Sequence, residues 1–474
     1  MPERAFEGGH QVRLVVARVG VGLAVAAFVN AGVLTMGSGP AGAAGPFTVN
    51  STLDAGPGTL RQAFADASGA GGGEIDVQPG LGQITLSTGA ITFSSAGAIV
   101  LKGNGVHVDG GGSTSGVIRQ GAGAGDLSVD GVTITGSNAM GAKPSAVAQI
   151  GTGALTLSNC SFSGNHATAA SGPAAGAALV APNTGGGSLT VTACAFSGNT
   201  AVSTTGEIGG ALSHDANGSV SITRSALTGN SGTGAANSDV AGGVVNNGGP
   251  TSIVQSSITT NHATGINVGG GIVNESGTET TVNSTISGNT ATATLGGGAN
   301  LGAAGGILNQ GGPEHLVYVT LAGNTTTTGA TNAAANYVND GGAVTFFGTV
   351  VAGGSGGPSC LAVGRGTSFA SNGFNLEDDA AASCGFAPAT HDIVGPDPSL
   401  GALANNGGPG PTQLPQPGSV LIDAIPVASC QADGAAGITT DERAVTRPQG
   451  AGCDIGAVEV AVPAPLVVTP RFTG

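Results

Sequence analysis

Phe162-Ser-Gly-Asn165 returns along the chain as Phe196-Ser-Gly-Asn199, Leu227-Thr-Gly-Asn230, Ile258-Thr-Thr-Asn261, Ile286-Ser-Gly-Asn289 and Leu321-Ala-Gly-Asn324. The asparagines stand 34, 31, 31, 28 and 35 residues apart, and self-similarity at such an interval marks a repeat architecture. Ile134-Thr-Gly-Ser137 reads as an earlier member and Val350-Val-Ala-Gly353 as a degenerate later one. In all six units the residue three before Asn is apolar. The residue eight before is Leu157, Val191, Ile222, Ile253, Thr281 and Leu316; only Thr281 breaks the rule, and a one-residue slip to Val282 is the expected repair. Ser and Thr alternate with these positions, the period of two that a strand with one buried face requires. A second short apolar segment follows a glycine pair, as in Gly209-Gly-Ala-Leu-Ser213, Gly242-Gly-Val-Val-Asn246, Gly270-Gly-Ile-Val-Asn274, Gly305-Gly-Ile-Leu-Asn309 and Gly341-Gly-Ala-Val-Thr345.

A unit of about 30 residues holding two or three short strands cannot bury its own apolar face, but stacked units can. Equivalent strands then pair in parallel about 4.8 Å apart, and their inward residues form columns. Phe162, Phe196, Leu227, Ile258, Ile286 and Leu321 form one such column. Asn165, Asn199, Asn230, Asn261, Asn289 and Asn324 form another at the turns, where Asn tolerates left-handed backbone and stacked amides hydrogen-bond along the axis. The fold expected is all-β: a right-handed parallel β-helix solenoid with a short N-terminal helical cap and a small C-terminal β-rich module. About ten coils between residues 70 and 355 make a rod roughly 50 Å long. A β-propeller needs four strands per blade and a recurring aromatic motif, and calcium-binding nonapeptide solenoids need repeated Gly-Gly-x-Gly-x-Asp; neither pattern is here.

Composition agrees. The 474 residues include 90 Gly and 23 Pro, with 3% aromatics and 8% charged residues. Disorder is opposed by the 40% of apolar residues and their periodicity, and collagen by the absence of a three-residue glycine period. Asp plus Glu number 27 against 12 Lys plus Arg, and from 144 to 364 the one basic residue of those two types is Arg224. A phosphate-tracking surface needs clustered positive charge, so nucleic-acid binding is excluded.

Arg4, Arg13 and Arg18 precede an apolar run from Val19 to Met36 and the small residues Pro40-Ala-Gly-Ala-Ala44. That order reads as a signal peptide, residues 1–44, cut at Ala43 or Ala44; an uncleaved membrane anchor is the alternative. No other stretch is apolar enough to span a membrane. Six cysteines suit an oxidising compartment. They fall in local pairs, Cys160 with Cys194, Cys360 with Cys384 and Cys430 with Cys453, and none has zinc-site spacing. Cys160 and Cys194 each lie five before their Asn, so they share an inward column as either a disulfide or stacked thiols. Thr59-Leu-Arg-Gln-Ala-Phe-Ala-Asp-Ala67 places Leu60, Ala63, Phe64 and Ala67 on one helical face, a lid for the first coil. Arg61 is expected to pair with a carboxylate such as Asp54. The domain reading is a signal peptide (1–44), a cap with first coils (45–110), the repeats (111–355), a C-terminal module (356–460) and a flexible tail (461–474).

Two segments resemble known modules. Phe47 to Ala63 resembles the N-terminal CSLREA-type module that opens many bacterial surface β-helices; Leu60, Arg61 and Ala63 match its signature, while its Cys and Glu are missing. Leu400-Gly-Ala-Leu-Ala-Asn-Asn-Gly-Gly-Pro409, Pro417-Gly-Ser-Val-Leu-Ile-Asp-Ala424, Thr440-Asp-Glu-Arg443, Arg447-Pro-Gln-Gly450 and Cys453-Asp-Ile-Gly-Ala-Val-Glu459 together resemble the choice-of-anchor Q module. The departures are Ala444, where Gly is usual, and a shortened Gly410–Gln416 stretch. The resemblance implies a surface protein. Val460 to Gly474 carry no apolar span, sorting motif or basic tail, so release or loose association is expected.

Parallel β-helices include polysaccharide lyases and hydrolases, but fold alone does not establish function. A calcium-dependent lyase needs converging carboxylates with a nearby base, and a hydrolase needs a carboxylate pair. Glu207, Asp215, Asp239, Glu275, Glu279, Glu314 and Asp340 are the acids between 144 and 364, and they read as scattered over coils and turns. Arg224 falls six before Asn230, at a solvent-facing corner. Asp378 and Asp379 are the weak candidates for a metal, calcium above all, or for catalysis; an exposed loop is the alternative. His166, His262 and His214 read as exposed turn histidines, with no nucleophile placed beside His214-Asp215. The expected function is a non-catalytic exported or cell-surface, adhesin-like monomer without a cofactor, presenting a polar surface to extracellular glycans or partner proteins. The alternative is a polysaccharide lyase or glycoside hydrolase with an unrecognised site.

Overall fold

The computed structural model describes residues 44–460, except 143, 181–186, 236–237, 295–301, 329–331, 365–366 and 433. The signal-peptide reading therefore lies, but for Ala44, outside the described residues, as does the tail 461–474. The described chain is a parallel β-solenoid. A twenty-stranded sheet runs its length, flanked by sheets of seven, six and ten strands, and every pairing within these four is parallel. The ten-stranded sheet takes one strand from each coil, from Ile91–Phe93 to Cys360–Ala362.

One coil illustrates the path. Leu155–Ser158 and Ser161–Ser163 lie in the longest sheet, His166–Ala169 in the seven-stranded sheet, Ala174–Ala175 in the six-stranded and Ala178–Val180 in the ten-stranded. Phe162 pairs with Phe196, Phe196 with Leu227, Leu227 with Ile258, Ile258 with Ile286 and Ile286 with Leu321, all fully buried. The rings of Phe162 and Phe196 stack 4.9 Å apart. Burying each such side chain is worth about 1.5–3 kcal/mol, so the columns dominate cohesion.

Two sequence expectations change here. Thr281 keeps its register between Ile253 and Leu316 and is buried, whereas Val282 points outward; no slip occurs. Its hydroxyl is satisfied inside the column by donating to Glu279 Oε1 at 3.2 Å, which lets a polar residue hold an apolar position. The ladder asparagines, in turn, are not the left-handed residues. Their predecessors are, with φ of 62–66° at Gly164, Gly198, Gly229, Gly288 and Gly323 and 54° at Thr260. A second left-handed corner falls six residues before each Asn, at Asn159, Ala193, Arg224, Gln255, Asn283 and Tyr318. Each Asn is instead buried and points inward, because the amide satisfies backbone groups that the corner leaves without partners.

Cys360–Cys384 and Cys430–Cys453 are disulfides. Cys160 and Cys194 are buried free thiols. Register partners on parallel strands point the same way, and Cys194 Sγ accepts the Cys160 N–H at 3.3 Å. Ser225 Oγ accepts the Cys194 N–H at 3.1 Å in the next coil, so sulfur occupies a hydroxyl's place in one column.

The cap helix runs Leu60–Gly69 with Thr59 as its N-cap, and Leu60, Ala63, Phe64 and Ala67 are buried. Arg61 Nη2 lies 2.7 Å from Asp54 Oδ1. Burial opposes ionisation of Asp54, yet hydrogen bonds from Thr88 and Arg61 outweigh it and lower the carboxyl to about 2. At the other end Ser368–Ser371, Leu376–Glu377 and Ile393–Val394 extend the longest sheet. The chain then turns back along that sheet's outer face. Gln255 Nε2 donates to Asp441 O at 2.7 Å, Ser257 Oγ to Pro411 O at 2.8 Å and Tyr318 Oη to Cys430 O at 2.6 Å.

Candidate functional site

The six-stranded and ten-stranded sheets fold toward each other around a small apolar cluster that includes Ala241, Val245, Val273, Ala304 and Leu308. At its edge four carboxyls come together, which corrects the reading of these acids as scattered. Glu207 and Asp239 are register partners on the six-stranded sheet. Asp215 and Glu275 come from the ends of strands Leu212–His214 and Ile272–Ser276 in the ten-stranded sheet. Asn247 Nδ2 bridges Glu207 Oε1 at 3.1 Å and Asp215 Oδ1 at 3.4 Å, and Gln310 Nε2 donates to Asp239 Oδ1 at 2.7 Å.

The electrostatics are one-sided. Among the described residues no ion pair reaches these carboxyls. Burial, then the charges of Asp239, Glu207 and Asp215, push Glu275 up to about 10, and its Oε1 lacks a hydrogen-bond partner. Burial, then Asp215 and Asp239, raises Glu207 as well. A protonated carboxyl beside carboxylates can donate a proton.

The alignment of the glycine-pair segments contained this cluster. Counting three forward from Leu212, Val244, Ile272 and Ile307 gives Asp215, Asn247, Glu275 and Gln310; counting five back from Leu212 and Val244 gives Glu207 and Asp239. These positions point away from the apolar columns, so the inward period does not mark them.

The remaining candidates stand apart. Asp378 Oδ2 accepts the Gly353 N–H at 2.7 Å, and Asp379 Oδ1 accepts the Ala381 N–H at 2.9 Å, so both shape a loop. Among the described residues no group of three or more His, Cys, Asp and Glu is placed to hold a metal ion. Arg224 is exposed at its corner. His262 is exposed and meets Thr264, and half-buried His166 meets Thr168 and Thr200. His214 corrects expectation: it is buried, with Nδ1 3.0 Å from Asn246 Oδ1, and burial lowers its pKa. It faces inward because it occupies the column that continues as Asn246, Asn274, Asn309 and Asn339.

The six ladder asparagines form an unbroken chain. Asn165 Nδ2 donates to Asn199 Oδ1 at 3.1 Å, Asn199 to Asn230 at 2.9 Å, and Asn230 to Asn261, Asn261 to Asn289 and Asn289 to Asn324 at 3.0 Å. No helix among the described residues is long and apolar enough to cross a membrane.

No family model and no curated protein matches the chain. Among solved structures it is similar to the crystal structure of pectate lyase Pel9A, at 17% identity over 88% of this chain and 95% of that chain, with a TM-score of 0.36.

Proposed function

We propose that the chain is an exported, non-catalytic β-helix protein of the cell surface that presents a repetitive uncharged face to extracellular glycan. The observation that carries this reading is the seven-stranded sheet, from Asn138–Met140 to Thr325–Thr328. None of its strands holds Asp, Glu, Lys or Arg. Its outward positions include the register-matched column Thr168, Val202, Thr233, Thr264, Thr292 and Thr327. Hydroxyls repeated at strand spacing offer donors and acceptors to a neutral polymer without the desolvation cost of charge. The likenesses to the CSLREA-type and choice-of-anchor Q modules support placement at the surface.

The test is a polysaccharide panel, read both for binding and for released ends. Binding without product, abolished by Thr233→Lys with Thr264→Lys and kept by Glu275→Gln, is the expected result. Reducing ends or unsaturated products that vanish in Glu275→Gln would sink it in favour of the second reading, a glycoside hydrolase. That reading is favoured by one observation, the proton-retaining Glu275 among three further carboxyls.

A further inference from the structure

The solenoid core contains a polar island that neither outward face uses. Glu279 and Glu314 are register partners on neighbouring coils, each 1% exposed, so their carboxyls stack within the interior. Asn274 Nδ2 donates to Glu314 Oε1 at 3.1 Å, and the Tyr337 hydroxyl hydrogen-bonds Glu314 Oε2. Thr281 donates to Glu279 Oε1, but Glu279 Oε2 has no partner. Neither does the hydroxyl of Thr251, in register with Glu279 on the preceding coil. On the following coil Glu314 meets Val344. Among these facing groups Tyr337 alone titrates, and no Lys, Arg or His of the described residues contributes. His315 is turned away, toward Thr345.

Two carboxylates at one strand spacing, buried without a cation, repel strongly and lose their hydration. Burial raises both carboxyls, and Glu314 raises Glu279 further. We propose that Glu279 and Glu314, as a pair, retain at least one proton and form an acid-set lock on the coils around them, closed while the proton is held and loosened once rising pH removes it. An unfolded glutamate ionises near pH 4.3 (about 4.3 for model peptides), so the lock's contribution is complete below that pH. It declines as pH rises until the folded pair has itself lost the proton, at about tenfold in the folding equilibrium per pH unit per proton.

Urea unfolding of the full chain from about pH 4 to about pH 9 tests this. Glu279→Gln, neutral and near-isosteric, is expected to remove about tenfold per pH unit from the wild-type dependence and to surpass the wild type at alkaline pH. Glu314→Gln, which keeps an acceptor for Tyr337, is the second variant and is expected to do the same. Unchanged pH dependence in both overturns the lock. So does calcium that stabilises the wild type but not Glu279→Gln at alkaline pH, which would make the pair a cation site. Should neither variant fold, infrared spectroscopy of the native wild type decides: absence of protonated-carboxyl absorption at neutral pH overturns the proposal, and absorption lost together with alkaline loosening supports it.

Discussion

Asn261 shows how much one amide does in this protein. Its Nδ2 donates to Leu227 O at 2.9 Å and to Asn289 Oδ1 at 3.0 Å, while its Oδ1 accepts from Asn230 N at 2.9 Å and Asn230 Nδ2 at 3.0 Å. Each buried group deprived of its partner costs roughly 1–3 kcal/mol. Asn261→Ala is therefore expected to destabilise by at least about 3 kcal/mol, as measured by chemical unfolding. A loss below about 1 kcal/mol would show that water replaces the amide. The repeat made these asparagines visible in the sequence; their inward direction was not, since Asn in a turn is equally consistent with a left-handed corner. Thr260, left-handed in place of Gly, marks the corner's real position one residue earlier.

At the scale of the element, the cap helix was legible from Thr59 to Ala67, and it runs on to Gly69. Its buried face is the one the helical spacing of Leu60, Ala63, Phe64 and Ala67 specifies, and Arg61 pairs with Asp54. Phe64 packs 5.8 Å from Phe93, ring to ring, closing the first coils. Phe64→Ala is expected to cost about 3–5 kcal/mol, seen as an earlier thermal transition. If the lid serves only to protect the end, hydrogen exchange will rise first in Ala44–Val49, Gly73–Val77 and Ile91–Phe93, the strands nearest it. Uniform exchange across all coils would argue instead that the stack unfolds as one unit.

For the whole molecule the decisive feature is the return of residues 396–460 along the solenoid. Arg447 and Glu459 pair at 2.8 Å, their side chains 1% and 0% exposed, and the guanidinium lies 4.2 Å from the ring centre of Tyr318 on the solenoid. Breaking a buried pair on one side leaves an uncompensated charge, so Arg447→Ala is expected to destabilise by about 3–5 kcal/mol. Limited proteolysis should then release the C-terminal segment while the coils stay intact. Cleavage that spreads into the repeats would show that the segment is needed for the stack itself.

The sequence alone determined the strand period, the inward apolar columns and the helical lid, because each follows from local alternation or spacing that survives whatever the rest of the chain does. It also placed Cys160 beside Cys194 by register. Only the tertiary structure decided that their thiols stay unbonded, how Thr281 keeps its column, and that Glu207, Asp215, Asp239 and Glu275 meet. Those outcomes depend on the angle at which one sheet turns into the next and on which polar groups remain to be satisfied there. Neither is written in the period of a strand.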